Sequence, residues 1–268
     1  MLTARKVLIN EAPSSSHNGI YGEGLGNIEL SDNFEHRTFN GVTPLVGIGM
    51  NPQRQKYMER SPVLIIYNLD SERFNCQKLF NLMCLYGNIN KINFIRSKQG
   101  CALVEFASSQ SSHEALNLLN NIFVFGNRIV MEESRKLFVE EIRTPYELPC
   151  GDKSFENFMG NRNNRFNSPK RASKNRLLPP NKILHFYNVP KMEDDILMDI
   201  FCDANAPFPT KVTWFDIKPL RGASTTGLVE FETVEEATEA LVIVNNTEIN
   251  NMEKKSARPY IMKLCFAN

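Results

Sequence analysis

The sequence predicts an α+β protein made of two copies of one small domain, each a four-stranded antiparallel sheet backed by two helices. Three observations predict it. The strand-like stretch Ala102-Leu103-Val104-Glu105-Phe106 recurs as Gly227-Leu228-Val229-Glu230-Phe231. Upstream of each copy stands a matched pair, Tyr67-Asn68-Leu69 and Tyr187-Asn188-Val189. Downstream stands another, Leu118-Leu119-Asn120-Asn121 and Ile243-Val244-Asn245-Asn246. Three matches in one order, at nearly one offset, mark an internal repeat. Within each copy the elements run strand, helix, strand, strand, helix, strand, the split βαβ or ferredoxin-like βαββαβ arrangement. The chain then divides into a disordered linker over 1–61, a first copy over 62–136, a basic interdomain linker over 137–181 and a second copy over 182–268.

The opening linker carries Ser14-Ser15-Ser16, scattered Gly, Pro and Asn, and no sustained period. It reads as the truncated start of a longer product, and the apolar patch at 42–50 is expected to share its disorder. After Pro62, residues 63–69 are β-branched and alternating, which predicts a strand with Leu64 and Ile66 on one face and Ile65 and Tyr67 on the other. Asn75 is placed to cap a helix over 76–85, with Leu79, Phe80, Met83 and Cys84 as its apolar stripe. A strand over 89–96, a turn over 97–100 and a strand over 101–106 follow. In the last, Ala102, Val104 and Phe106 are expected inward, leaving Cys101, Leu103 and Glu105 on the open face. Ser111 or Ser112 is expected to cap the second helix, and Gly126 to turn the chain into a final strand over 127–133.

The second copy opens after Pro179-Pro180 with a strand over 183–189 that turns His185 and Tyr187 outward. Glu193 or Asp194 starts a helix carrying Ile196, Leu197, Ile200 and Phe201. In a strand over 211–215, Val212 and Trp214 are expected inward and Thr213 and Phe215 outward. The third strand covers 227–232. Thr233-Val234-Glu235-Glu236 has the spacing of a capping box. The last strand, 260–266, places Met262, Leu264 and Phe266 inward and Lys263 and Cys265 outward.

A chain of 268 residues with 42% hydrophobic content can build one large or two small cores. Its six cysteines form no C-x-x-C pair and mostly lie in apolar periodic segments, which predicts buried reduced thiols. No apolar run is long enough to cross a bilayer and no signal peptide is present, so a nuclear or cytoplasmic protein without a membrane partner is expected. The net charge of +1 argues against a strongly electrostatic nucleic-acid binder. It hides an asymmetry: Lys and Arg against Asp and Glu number 8 to 6 in 62–136, 8 to 5 in 137–181, and 9 to 13 in 182–268. Paired carboxylates, metal-ligand spacing and an activated nucleophile are all missing, so neither an enzyme nor a cofactor is expected.

The repeats resemble the RNA recognition motif family strand by strand. That family's longer sheet signature reads basic, Gly, aromatic, Gly or Ala, aromatic, Val, any, aromatic. Here it stands as Gln99-Gly100-Cys101-Ala102-Leu103-Val104-Glu105-Phe106 and as Ser224-Thr225-Thr226-Gly227-Leu228-Val229-Glu230-Phe231. The shorter one stands as Leu64-Ile65-Ile66-Tyr67-Asn68-Leu69 and Leu184-His185-Phe186-Tyr187-Asn188-Val189. Both longer signatures lack the two aromatics on which bases usually stack, a departure from the family's usual binding mode.

A narrower resemblance covers 62–268. Phe80-Asn81, Leu85-Tyr86-Gly87-Asn88, Arg162-Asn163-Asn164-Arg165-Phe166, Lys174-Asn175-Arg176, Leu184-His185-Phe186-Tyr187-Asn188 and Lys263-Leu264-Cys265-Phe266 are similar to the last two motifs of the heterogeneous nuclear ribonucleoprotein L family. A more distant likeness is to polypyrimidine-tract-binding protein, whose motifs also lack sheet aromatics. The resemblance implies binding of single-stranded RNA, pre-mRNA and mRNA, with CA-rich sequence. It further implies regulation of splicing or mRNA processing, other splicing or ribonucleoprotein components as partners, a nuclear location with cytoplasmic shuttling left open, and a last pair of motifs packed back to back.

A recognition sheet lays bases flat on side chains and reads their edges. On the first sheet the expected RNA-facing set is Ile65, Tyr67, Leu103, Asn93, Ile95, Val130 and Glu132, with Arg96 and Lys98 as phosphate contacts. On the second it is His185, Tyr187, Phe215, Leu228 and Lys263, the richer platform. Arg162, Arg165 and Phe166 are an unusual choice for a free tether and are expected between the domains, where the acidic helices of the second copy could pair with the arginines. The competing reading is a protein-interaction scaffold in which the degenerate motifs bind peptides of splicing factors.

Overall fold

Alternation of β-branched and polar residues produces the strands, and amphipathic runs between them produce the helices. The computed structural model describes residues 60–168, 176–215, 224–250 and 258–268. The 1–61 reading, except its last two residues, and the Lys174-Asn175 part of the linker lie outside them. In the first domain the order is β1 (Val63–Tyr67), α1 (Cys76–Met83), β2 (Ile89–Phe94), β3 (Ala102–Phe106), α2 (Ser109–Leu119), the short hairpin β4 (Phe123–Val124) and β5 (Asn127–Arg128), β6 (Val130–Glu133) and β7 (Phe155–Asn157). In the second it is β8 (Ile183–Val189), α3 (Asp194–Asp203), β9 (Lys211–Trp214), β10 (Thr225–Glu230), α4 (Val234–Val244), β11 (Glu248–Ile249), β12 (Tyr260–Ile261) and β13 (Lys263–Phe266). The sheets run β6-β1-β3-β2-β7 and β13-β8-β10-β9, antiparallel throughout. This is the expected pair of ferredoxin-like units, with a fifth strand added to the first.

The repeated asparagines have a geometric cause. Asn68 and Asn188 both sit at φ 61, and Asn121 and Asn246 at φ 68 and 72, the left-handed region that Asn tolerates better than most residues. Their amides are also used in parallel. Asn68 Nδ2 donates to Arg128 O and Asn188 Nδ2 to Ile261 O. Asn120 Oδ1 accepts from Met131 N, and Asn245 Oδ1 from Leu264 N, tying each second helix to its last strand.

Alternate residues of the strands face the helices. Leu64, Ile66, Ile92, Phe94, Ala102, Val104 and Phe106 are buried in the first domain, and Leu184, Phe186, Val229, Leu264 and Phe266 in the second. Gly227 stands where the first copy has Ala102. A Cβ there would meet Thr213 O at 2.3 Å and the Phe186 ring at 2.6 Å. Gly227→Ala should therefore cost about 1–3 kcal/mol through overpacking, read as a lower midpoint of thermal unfolding.

Four expectations are corrected. The second helix is capped by Ser108, whose hydroxyl accepts from Ser111 N; Ser112 is already inside the helix, with its hydroxyl turned to Ser61 O. The final strand of the first copy is broken into β5 and β6, because Ile129 turns inward between them and its N–H bonds Ile122 O. Cys76, Cys84 and Cys101 are buried, but Cys150 and Cys202 are exposed and Cys265 is half-buried. Most consequentially, the first part of the 137–181 linker is not a tether. It crosses the supposedly open face of the first sheet and returns as β7 along β2. Val139 and Phe155 cover Val63 and Leu103, leaving Leu103 only 8% and Glu105 only 9% exposed. Glu105 tolerates this position because its carboxylate accepts from Val139 N at 2.7 Å and Asn90 Nδ2 at 3.1 Å.

The described residues form one compact unit that includes both domains, and one apolar cluster runs through the two. Helix α1 lies against α4. At their contact Asn81, buried, donates from Nδ2 to Val242 O and accepts at its backbone oxygen from Asn245 Nδ2 and at its amide oxygen from Asn246 Nδ2. The remaining linker is used in this contact. Arg165, 7% exposed, donates to Asn245 Oδ1 at 2.9 Å and to Leu264 O at 2.7 Å. Phe166, expected between the domains, is half-buried, and its backbone N–H bonds Asn88 Oδ1. Arg162 pairs with Glu248 at the exposed surface. On the acidic helix α4, Glu239 and Glu235 accept the N–H groups of Phe125 and Gly126 at the β4–β5 tip, and Arg73 bridges Glu239 and the Phe125 ring.

Candidate nucleic-acid interface

With α1 and α4 facing each other, the surfaces left to a ligand are the sheet faces opposite the helices. Strand pairing decides which side chains are neighbours there. On the second sheet, His185 lies between Leu228 and Cys265, and Tyr187 between Thr226 and Lys263. The rings of Tyr187 and His185 are 5.5 Å apart and those of His185 and Phe215 5.8 Å apart, tilted by 33° and 36°. They form a ladder of three rings that ends at Phe215, 43% exposed. Leu228 is half-buried beside it.

The imidazole is held in one tautomer. Thr226 spends its single hydroxyl proton on Phe186 O at 2.7 Å, so at the 2.6 Å contact with His185 it must accept, and Nε2 carries the proton. Nδ1 is then the acceptor facing the Cys265 thiol at 3.8 Å. Burial lowers the His185 pKa below 6.5, which keeps the ring neutral and suited to stacking. The unfolded chain therefore takes up this proton more readily than the folded one. His185 supports full stability above about pH 6.5 and withdraws support as the pH falls. Unfolding midpoints at pH 7.5 and 5.5 should differ more in the parent than in His185→Gln.

Lys263 does not stand over the sheet as an open ammonium. Its Nζ donates to Asn246 Oδ1 and to Asn163 Oδ1 in the linker. Tyr187 is likewise drawn toward the linker, with the Arg165 guanidinium 5.9 Å from its ring centroid. Burial pushes its phenol pKa up, with Arg165 opposing.

On the first sheet the covering segment removes Leu103 from the surface. Ile65 and Ile95 remain half-buried at its margin. The end of the sheet carrying Tyr67 stays open as a cleft of about 760 Å³, lined by Tyr67, Asn68, Lys98, Gly100, Arg128 and Val130 among others. Lys98 Nζ lies 4.3 Å from the Tyr67 ring centroid, and the phenol donates to Glu132 Oε2 at 3.3 Å. Arg96 projects away from this cleft, with its guanidinium 5.8 Å from the Tyr146 ring. The structure thus brings Tyr67 and Lys98 together on one sheet and His185, Tyr187, Phe215 and Leu228 on the other. Arg128, Tyr146 and Thr226 were not singled out in the sequence. Only Thr226 had a signal, as the residue in a signature position where an aromatic is usual.

Comparison with known proteins places both domains in one family. The family described as RNA recognition motif (also RRM, RBD or RNP domain) matches residues 13–161, and an RRM domain family matches 174–268. The chain is 36% identical over 208 residues to heterogeneous nuclear ribonucleoprotein L of Homo sapiens, covering 77% of this chain and 34% of that protein. It is 28% identical over 211 residues to polypyrimidine tract-binding protein homolog 3 of Arabidopsis thaliana, covering 78% of this chain and 45% of that protein. The chain thus spans about a third to a half of the length of these relatives. Among solved structures, the Sex-lethal RNA recognition domains 1 and 2 from Drosophila melanogaster match with 18% identity and a TM-score of 0.26, over 77% of this chain and 100% of that one. The chain therefore belongs to the RNA recognition motif family, as a member similar to heterogeneous nuclear ribonucleoprotein L over 77% of its length.

Proposed function

We propose that this chain binds single-stranded RNA as a nuclear ribonucleoprotein component and regulates pre-mRNA splicing or mRNA processing, with CA-rich sequence preferred. The observation that carries the reading is the ladder of Tyr187, His185 and Phe215 on the second recognition sheet. Rings at that spacing offer successive stacking surfaces, and a neutral His185 can read a base edge through its partners. The names of the relatives support the ribonucleoprotein class and the nuclear location. Fluorescence anisotropy with short CA-rich and pyrimidine-rich RNAs, against duplex RNA and single-stranded DNA, tests it. Tightest binding to CA-rich single strands is expected; equal binding to the duplex would defeat the proposal.

Affinity should fall only moderately with salt. The near-neutral chain offers few cations to phosphate, chiefly Lys98, Arg96 and Arg128, and each contact adds about −0.7 to the log–log slope. A slope steeper than about −5 would mean a far more electrostatic mode. A second reading, peptide binding, has one observation in its favour. Leu137 and Phe138 stand 60% and 61% exposed on the segment that covers the first sheet. It predicts that Phe138→Ala leaves RNA affinity unchanged and weakens a protein contact.

A further inference from the structure

The cleft beside Tyr67 does not stop at the sheet edge. Ser71, Gln99 and Gly100 line it and also line a second cleft of about 400 Å³, whose other walls include Arg96, Tyr146 and Leu148. The two clefts share these residues and adjoin at the 97–100 turn, as two arms of a groove around it. That turn is firmly held. Leu69 N donates to Gly100 O at 2.9 Å, and Gln99 Nε2 donates to Ser71 Oγ at 2.9 Å. Gly100, at φ 69, packs so close that an added Cβ would lie 2.7 Å from Leu69 O. The groove is therefore a fixed surface in the folded chain.

Its chemistry repeats on either side of the turn. On one side Lys98 stands by the Tyr67 ring, and on the other Arg96 stands by the Tyr146 ring. Each pair combines a ring able to stack with a base and a cation over it that can swing to the base's phosphate. Meanwhile the covering segment at Val139 closes the opposite end of the sheet, where Glu105 and Lys91 are already bonded to it. A strand resting on Tyr67 has its open continuation over the turn. Glu147 lines the second cleft too and keeps phosphate toward the Arg96 side.

We propose that single-stranded RNA leaves the first sheet over the 97–100 turn and stacks its next base on Tyr146, with Arg96 on the adjoining phosphate. This extends the RNA-binding reading above and rests on it. The test uses the full chain and CA-repeat RNAs carrying 5-iodocytidine at successive positions, photocross-linked and mapped by mass spectrometry. An adduct at Tyr146 is expected from a label position adjoining the one that marks Tyr67. In an oligonucleotide series lengthened one nucleotide at a time, Tyr146→Ala should lose about 5-fold or more in affinity once the RNA passes the turn, with Tyr146→Phe close to the parent. Because Tyr146 also packs against the core, Arg96→Gln provides a variant at an exposed position, and it should make the salt slope shallower by about 0.7. Adducts at Tyr67 without any at Tyr146, together with an unchanged salt slope in Arg96→Gln, would overturn the extension and leave the sheet reading standing. Absence of RNA binding by the parent would overturn both.

Discussion

Arg165→Ala will set the two domains moving separately while leaving each folded. The guanidinium is buried at the join and donates to Asn245 Oδ1, which also receives Leu264 N, and to Leu264 O on β13. Hydrogen bonds from a charged donor contribute about 1.5–3 kcal/mol each, and removing the donor leaves Leu264 O buried without it. The exposed Arg162–Glu248 pair contributes at most about 1 kcal/mol and cannot compensate. Nitrogen-15 relaxation reads the outcome. The parent should show one correlation time for both domains. The variant should approach two, each near that of a lone small domain. Phe166→Ser, the variant that side-chain polarity alone would nominate, should act less, since Phe166 is half-buried. A variant at Arg165 that keeps a single correlation time and the parent's unfolding midpoint would show that the Asn81 contacts and apolar burial suffice without the linker.

The other large effect concerns RNA. Replacing His185 and Tyr187 together by Ala should weaken binding by about 1–3 kcal/mol, the scale of one lost stacking platform. Both rings are half-buried, and His185 is bonded to Thr226, so the double variant will also lose some stability. Phe215→Ala separates the two effects. Its ring sits at the exposed end of the ladder, so removing it should weaken RNA binding while the unfolding midpoint stays close to the parent's. Both variants binding CA-rich RNA as the parent does would reject the second sheet as the platform. With the helices between them, the two sheets face away from each other. One RNA reaches both only by looping, so two short sites with a spacer should bind better than one.

The repeat was legible because the same backbone geometry imposes the same residues twice. Asn68 and Asn188 meet one left-handed turn, Asn120 and Asn245 one bond to the last strand, and Thr233 with Glu236 makes its capping box from neighbours alone. Local rules of this kind depend on residues close in sequence, and so a single sequence determines them. The inward and outward sets of the second sheet were equally accessible, because strand alternation needs no knowledge of partners. What lies over an outward set was not. Leu103 obeys the alternation and still ends up covered, because Val139 and Phe155 reach it from 36 and 52 residues away in the chain. Arg165 reads as a soluble cation until Asn245 and Leu264, 80 and 99 residues on, supply the acceptors that allow it to be buried. Sequence by itself determined the elements, their order and the chemistry that each strand can offer. Only the tertiary structure decided which of those surfaces remain open, since burial is set by contacts between distant segments whose free energy no local pattern records.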